Sequence, residues 1–529
     1  MKRSPGFTAG LVAVFVSGLV LVLLPILALI FGEVSALTPN VATSPESLWA
    51  SFTEPHLRAL LFGSITLALG VTLGALCIGV PIGLLLASSR DRLLRVLFLA
   101  HLLPLCLPPY LGALGWAGIV SRTTLGENAG TWMSGLLYSK AGFVFVMTIA
   151  LSPLVSILTW AFARSIDASV IEVARLNRKP NSVLTRVVLP LCMPGIALGG
   201  LLVFVLALGE VAVPQLLRVP VYASTVFSRL ADFSFLPGEA LARAWPLIFV
   251  AIAVAAACYL TEHKGHAALG LRDGSASDWM RGRQRNAAIA CLSVAASLSA
   301  LPIGILLGRG FFAQSGGVEG MAAAGHALAN SLLYATLAAT FMLLIAVPAG
   351  FLWSRRPKAG HLLSLPLLVG LVLPAVVLGL GLVIAWNQPA TQWIYQGTGI
   401  VLLGLLARYL YPIVRAAKLG FDRLPKTWLE AARIHQGSWW RRLAFVILPA
   451  SLPIVATAWT LAFLLVLRDM DTSIIFYPPG GESLPVRALT LEANAPPGLT
   501  AASASLQVMV TALALILLTA SGRLSRRLR

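Results

Sequence analysis

Charge is scarce in this sequence. Only 11% of its 529 residues are charged, where a soluble domain carries about 25%. So few solvating groups exclude the soluble multidomain class that the length alone would suggest. Cysteine is sparse as well: Cys77, Cys106, Cys192, Cys258 and Cys291 stand singly inside apolar runs. They have neither metal-ligand spacing nor the logic of a disulfide framework, and they read as small packed hydrophobes. A phosphate-cradling loop is also missing. No stretch fits G-x-x-x-x-G-K-[ST], and none of the seven lysines follows Gly and precedes Ser or Thr. No nucleotide or other cofactor is therefore expected in this chain.

What is present in quantity is apolar sequence, with 58% of the residues hydrophobic. Uncharged runs of about twenty residues recur along the chain, each long enough to cross roughly 30 Å of hydrocarbon. Backbone groups in lipid must be satisfied within the segment, so such runs read as helices. The expectation is an all-α polytopic membrane protein of about 12 transmembrane helices. The spans fall near 10–31, 58–88, 96–120, 141–163, 187–209 and 244–261, then 287–308, 329–353, 362–386, 398–414, 446–467 and 503–522. The N-terminal run resembles a signal peptide, with Val34-Ser35-Ala36 as a possible cleavage site. Its apolar stretch is about twice the length of a signal core, so an uncleaved first span is the reading adopted.

The net charge of +19 invites a nucleic-acid reading, but its distribution argues otherwise. With the N-terminus in the cytoplasm, about 29 of the 39 Lys and Arg fall on the cytoplasmic side, which is the bias that orients membrane proteins. They cluster at 90–95, 164–186, 264–285, 355–358, 415–442 and 523–529. The expected setting is a bacterial inner membrane with both termini cytoplasmic, lipid as surroundings and no nucleic-acid partner.

An internal repeat organises the spans. Ser64-Ile65-Thr66 through Val80-Pro81-Ile82-Gly83 aligns with Ser331-Leu332-Leu333 through Val347-Pro348-Ala349-Gly350 at an offset of about 267. Leu103-Pro104 then matches Leu373-Pro374, Tyr138 with Gly142 matches Tyr395 with Gly399, and Leu189-Pro190 with Pro194 matches Leu448-Pro449 with Pro453. Six spans per copy start and end each copy on the same side, so the two repeats are parallel, and such halves can enclose a path. The domains expected are a first half over 1–262, a cytoplasmic linker over 263–286 and a second half over 287–529.

Between the fourth and fifth spans of each half lies a loop with a shared pattern. It reads Glu172-Val173-Ala174-Arg175 before Leu189-Pro190, and Glu430-Ala431-Ala432-Arg433, then Gly437, before Leu448-Pro449. A surface helix with small residues can seat in a partner's groove, and Ala is the best helix former. Glu430 and Arg433, at i and i+3, share a face and can pair. Gly437 can end the helix, and Pro449 near the start of the next span costs little. The pattern resembles the EAA loop of binding-protein-dependent ABC import permeases, over nearly the whole chain. That resemblance implies a type I ABC importer-like fold with no catalytic residue of its own. It also implies two copies of a cytoplasmic ABC ATPase carrying ATP-Mg, and a periplasmic or lipid-anchored solute-binding protein. The first loop departs from the family at Val173 and at Arg178-Lys179-Pro180, so the two docking sites are not expected to be equivalent.

The competing class is an ion-coupled secondary carrier, which commonly holds ionisable groups at mid-membrane. Asp and Glu are nearly absent from the span centres here. Glu210 and Asp469, matched across the repeat, fall near the outer ends of the fifth spans. Arg408 and His101 lie inside spans and read as structural polar contacts. The segments after the fifth spans, 468–482 and 210–220, read either as solvated Pro/Gly loops or as an outer gate or docking surface. Resemblance alone points to ferric iron as the solute, through the region 104–110 and Tyr477-Pro478-Pro479-Gly480-Gly481-Glu482. Thiamine, polyamine and phosphonate permeases are near relatives.

Overall fold

The computed structural model describes residues 53–527 except 90, 122–126, 178–179, 231–236, 269–279, 281, 313–316, 423–440, 442–444 and 446–447; before 53 it describes 20, 24, 25, 27 and 28. The chain is an all-α, multi-pass membrane protein. Among the described residues nine helices are long and apolar enough to cross a membrane, or up to eleven if each of two bent pairs is one span. The expected first span lies almost wholly outside the described residues. Each of the other expected spans has a counterpart.

In the first half these are α1 (Pro55–Ser88), α2 (Arg92–Leu102), α3 (Pro109–Val120), α4 (Glu127–Leu137), α5 (Lys140–Arg164), α6 (Ala168–Asn177), α7 (Leu189–Leu208), α8 (Ala212–Leu216), α9 (Tyr222–Leu230) and α10 (Pro237–Ala268). Then come α11 (Gly282–Phe312), α12 (Gly325–Arg355), α13 (Pro357–Val372), α14 (Ala375–Trp386), α15 (Thr398–Asp422), α16 (Leu448–Leu467), α17 (Ser473–Phe476), α18 (Leu484–Asn494) and α19 (Pro497–Arg527). The sixth span therefore runs on as helix into the region expected as linker.

Two expected spans are not straight. Between Arg92–Cys106 and Pro109–Val120 the chain turns by 105°, and between Ser364–Val372 and Ala375–Trp386 by 114°. The cause is local. A residue before proline is pushed out of the helical region into extended backbone. Leu107, before Pro108, has ψ 155°, and Pro108, before Pro109, has ψ 132°. Leu373, before Pro374, has ψ 131°. The structural counterpart of the break at Leu373-Pro374 is Leu107-Pro108, four residues beyond the Leu103-Pro104 match expected from the sequence, and 96–120 and 362–386 are each a bent helix pair and not a straight span.

The chain packs as two compact units. One holds Thr43–Met321 with Asn494–Ser505, and the other includes Ala322–Ala493 and Leu506 onward. Helix α11 belongs to the second half by repeat position, yet it packs in the first unit. Its Ala288, Leu292 and Ala295 are buried in one cluster with Leu85 of α1 and Leu94 of α2. Ser505 Oγ donates to its Leu306 carbonyl at 3.2 Å.

Within each unit the second and fourth spans are pressed together. A Cβ on Gly83 of α1 would lie 2.6 Å from the Ser156 carbonyl oxygen of α5, and one on Gly350 of α12 would lie 2.7 Å from Lys418 N of α15. These glycines are aligned in the repeat, and each is where two backbones meet. Phe62, Leu69 and Leu73 on the other side of α1 are exposed. That is the expected state of a helix apolar all round in a lipid solvent.

Candidate functional site

The first expected docking loop is a helix, α6. Asp167 precedes it, and Asp167 Oδ1 accepts from Ser169 N and Ser169 Oγ, both at 3.0 Å. This satisfies a backbone donor of the first turn. Ile171 is buried in the cluster with Leu84, Leu85 and Ala163, and Ala174 packs against the same cluster. The face turned outward carries Val170, Val173 and Leu176, the last two 60% and 84% exposed, with exposed Glu172 beside them. Arg175 is half-buried. The surface a partner meets is therefore an apolar stripe at three-residue spacing edged by a carboxylate, with Ala174 turned to the protein's own core. The second loop, with Glu430, Ala431, Ala432, Arg433 and Gly437, lies outside the described residues.

The segments after the fifth spans are folded in among the helices. In the first half Glu210 is buried, and its Oε1 accepts the N–H of Val213 at 3.3 Å, at the start of α8. In the second half the matching Asp469 is buried and does the same for α17. Its Oδ1 accepts the N–H of Thr472 at 3.0 Å and of Ser473 at 3.1 Å. A carboxylate suits both helix starts, where unpaired N–H groups and the helix dipole present positive charge. The chain then returns onto the second span in each half. Ser64 Oγ accepts the N–H of Tyr222 at 2.8 Å, and Ser331 Oγ accepts that of Leu484 at 2.7 Å. Ser64 stands nine residues into α1, about 14 Å along it, so the segment dips well below the helix end. The reading of these stretches as solvated loops is corrected for 210–214 and for Asp469, Thr472 and Ser473, which are buried, whereas Tyr477, Pro479 and Gly480 are exposed.

The second half adds a charged network. Arg408 of α15 lies 3.6 Å from Asp469 Oδ2 through Nη1 and 3.3 Å from Asp471 Oδ2 through Nη2. Arg408 Nη1 also donates to Thr472 Oγ1 at 3.2 Å, and Tyr409 OH donates to Asp469 Oδ2 at 2.7 Å. Arg408, Asp469 and Thr472 are all buried. Arg408 follows the start of α15 by ten residues, about 15 Å, so this ion pair lies opposite the middle of a span. The structural role expected of Arg408 is what the geometry displays. In the first half His101 is buried and its Nε2 lies 3.1 Å from Ser156 Oγ.

Residues 343–529 match the family model described as the binding-protein-dependent transport system inner membrane component. The molybdenum transport system permease protein of Mycobacterium tuberculosis is 33% identical over 202 residues, 37% of this chain and 71% of that protein. The chain belongs to this permease family. A protein named as a ferric transport system permease from Haemophilus influenzae is 23% identical over 482 residues, covering 82% of this chain and 72% of its own length. One named as a 2-aminoethylphosphonate transport system permease from Salmonella typhimurium is 28% identical over 212 residues, 39% of this chain and 77% of its own. No solved structure matches the chain. The permease is thus a transport subunit of the ABC importer class.

Sequence reasoning on this permease paired Glu210 with Asp469, placed Asp471 and Thr472 in the candidate outer segment 468–482, and missed Tyr409, Asn330 and Tyr334. A signal for the last two existed. The aligned second spans carry Gly63 and Leu67 where the second half has Asn330 and Tyr334, a polar gain near the start of α12.

Proposed function

We propose that this permease forms the translocation path of an ATP-driven importer, with its energy supplied by two copies of a cytoplasmic ATPase that bind ATP-Mg. One copy docks on α6, around Glu172, Ala174 and Arg175. The other docks on the loop holding Glu430, Ala431, Ala432, Arg433 and Gly437. The observation carrying this reading is α6 itself, a capped helix between the fourth and fifth spans with an outward apolar stripe and a carboxylate edge. A periplasmic or lipid-anchored binding protein delivers the solute, and both termini face the cytoplasm of a bacterial inner membrane. Glu210 and Asp469, each capping a helix folded in among the spans, belong to the outer gate.

The solute proposed is ferric iron, supported by a relative named for ferric transport that aligns over most of both chains. A second reading, a small oxyanion, is favoured by the higher identity to the molybdenum permease. The test is to purify the permease with its co-expressed neighbours and weigh the complex. Two ATPase copies per chain are expected. ATP hydrolysis should then rise with the partner binding protein loaded with ferric iron, and not with molybdate or 2-aminoethylphosphonate. Uptake that follows a proton or sodium gradient, with no ATPase bound, would overturn the importer reading; stimulation by an oxyanion alone would overturn iron.

A further inference from the structure

The last span of the second half carries two buried polar residues, Gln507 and Thr511, one turn apart on the same face of α19. They follow the start of the helix by ten and fourteen residues, about 15 and 21 Å, which puts both deep in the hydrocarbon layer. Among the described residues, Gln507 Oε1 and Thr511 Oγ1 have no hydrogen-bond partner. A hydroxyl on a membrane helix commonly donates to a carbonyl one turn back. Thr72 does so to Ala68 at 2.7 Å, Thr460 to Ala456 at 2.8 Å and Ser505 to Ala501 at 2.8 Å. Thr511 makes no such bond.

The plan shared by the halves is built without these polar groups. Pro497-Gly498 at the head of α19 aligns with Pro237-Gly238 at the head of α10, which sets Leu247 and Ala251 against Gln507 and Thr511. Leu247 and Ala251 are buried as well, so an apolar pair fills the same places in the first half. Keeping unpaired polar atoms away from water is costly, and polar residues inside spans mark the routes of solutes.

The direction of the amide decides what kind of solute fits. Gln507 Nε2 donates to the Leu467 carbonyl at 2.8 Å, at the end of α16 and two residues before Asp469. Turning the amide over would set two oxygens against each other, so Oε1 is the atom left open, and it can only accept. The Thr511 hydroxyl can accept as well. Arg408 is turned to Asp469 and Asp471. An oxyanion without protons brings only acceptors and would leave Oε1 unpaired. A metal ion carrying water ligands brings O–H donors with positive charge behind them, and hydrogen bonds of that kind are the stronger ones.

We propose that Gln507 and Thr511 form a mid-membrane contact for the solute, accepting hydrogen bonds from the water ligands of a hydrated metal ion. Neutral acceptors hold such an ion through its water, weakly enough for it to leave, as conduction requires. The proposal rests on the importer reading and narrows its solute to a cation that crosses with water attached.

Import of radioactive ferric iron into vesicles holding the permease, its ATPase and the loaded binding protein tests this. Thr511→Val keeps the shape and removes only an unpaired hydroxyl, so the variant should unfold at the same temperature as the unaltered chain or slightly higher. It should import iron roughly tenfold more slowly and hydrolyse more ATP per ion. Thr511→Ser should restore import. Gln507→Leu, which copies the first half, should slow import at least as much, with a lower unfolding temperature because the Leu467 carbonyl loses its donor. Unchanged import in both variants would overturn the proposal and leave the two groups holding internal water only. A fall in the unfolding temperature of Thr511→Val would equally defeat it, making the hydroxyl a structural one. Molybdate import slowed in the same way would rule out the choice of a hydrated cation. If no ATPase binds, yet iron exchange across the vesicles still depends on Thr511, the importer reading fails and the contact stands.

Discussion

The two halves of this permease repeat one plan with different fastenings. In the first, a carboxylate at Glu210 and a serine at Ser64 hold the segment that follows the fifth span. In the second, Asp469 and Ser331 do the same work, and a buried arginine, a second aspartate, a tyrosine and an asparagine are added around them. The shared part shows what the fold requires: a helix start needs an acceptor, and a chain returning into the membrane needs its N–H paired. The added side chains are not a requirement of the shared plan, since the first half has Gly63, Leu67, Ala212 and Val213 where the second has Asn330, Tyr334, Asp471 and Thr472.

The sharpest way to break this comparison is to remove the cation. Arg408→Leu leaves the buried Asp469 and the half-buried Asp471 without this partner, and breaking a buried pair from one side costs about 3–5 kcal/mol. The variant should unfold at a markedly lower temperature in detergent. Replacing Asp469 and Asp471 with Asn in the same chain should recover most of that loss, because no buried charge is then stranded. Glu210→Gln in the first half keeps an acceptor for Val213 and should cost far less. If Glu210→Gln proves as damaging as Arg408→Leu, the halves do not differ in the way described.

A smaller effect tests what the halves share. Ser64→Ala and Ser331→Ala each leave a buried backbone N–H without its acceptor, at a cost of about 1–3 kcal/mol. Because the two bonds are 2.8 and 2.7 Å in repeat-equivalent places, the two losses should be of similar size. Thermal unfolding of the two variants side by side measures this. A large inequality would mean that one serine is supported by its surroundings and the other is not.

How far the sequence alone reaches follows from the range of the forces involved. Spans are legible because a twenty-residue apolar run has few alternatives in lipid, and the repeat is legible because Ser64, Pro81 and Gly83 recur in order as Ser331, Pro348 and Gly350. The bends at Pro108 and Pro374 are visible as residues, but a length criterion counts straight through them, and only the backbone angles expose the break. The charged network is invisible for another reason. Arg408 and Asp471 are 63 residues apart, and nothing in local spacing says that a segment after one span will fold back to the middle of another. For the same reason α11 is second-half by order in the chain and first-unit by packing, a matter of which apolar face finds which neighbour. The outward face of α6 falls between these cases. Its helical period is legible, but whether Ala174 or Val173 faces out depends on where Ile171 finds its core.

That face allows the mildest test, at Leu176. It is 84% exposed and meets solvent on α6, so Leu176→Ser should move stability by less than about 0.5 kcal/mol, as surface substitutions do. Its effect should instead be on association. If the apolar stripe of Val170, Val173 and Leu176 seats an ATPase subunit, the complex should lose one ATPase copy and keep the one held by the second loop. Native mass spectrometry reads that difference directly. Loss of both copies would mean that the two docking sites bind only together, so their inequality in sequence is not an inequality in affinity. Retention of both would mean that α6 does not dock through this stripe, and Glu172 would then have to make the contact on its own.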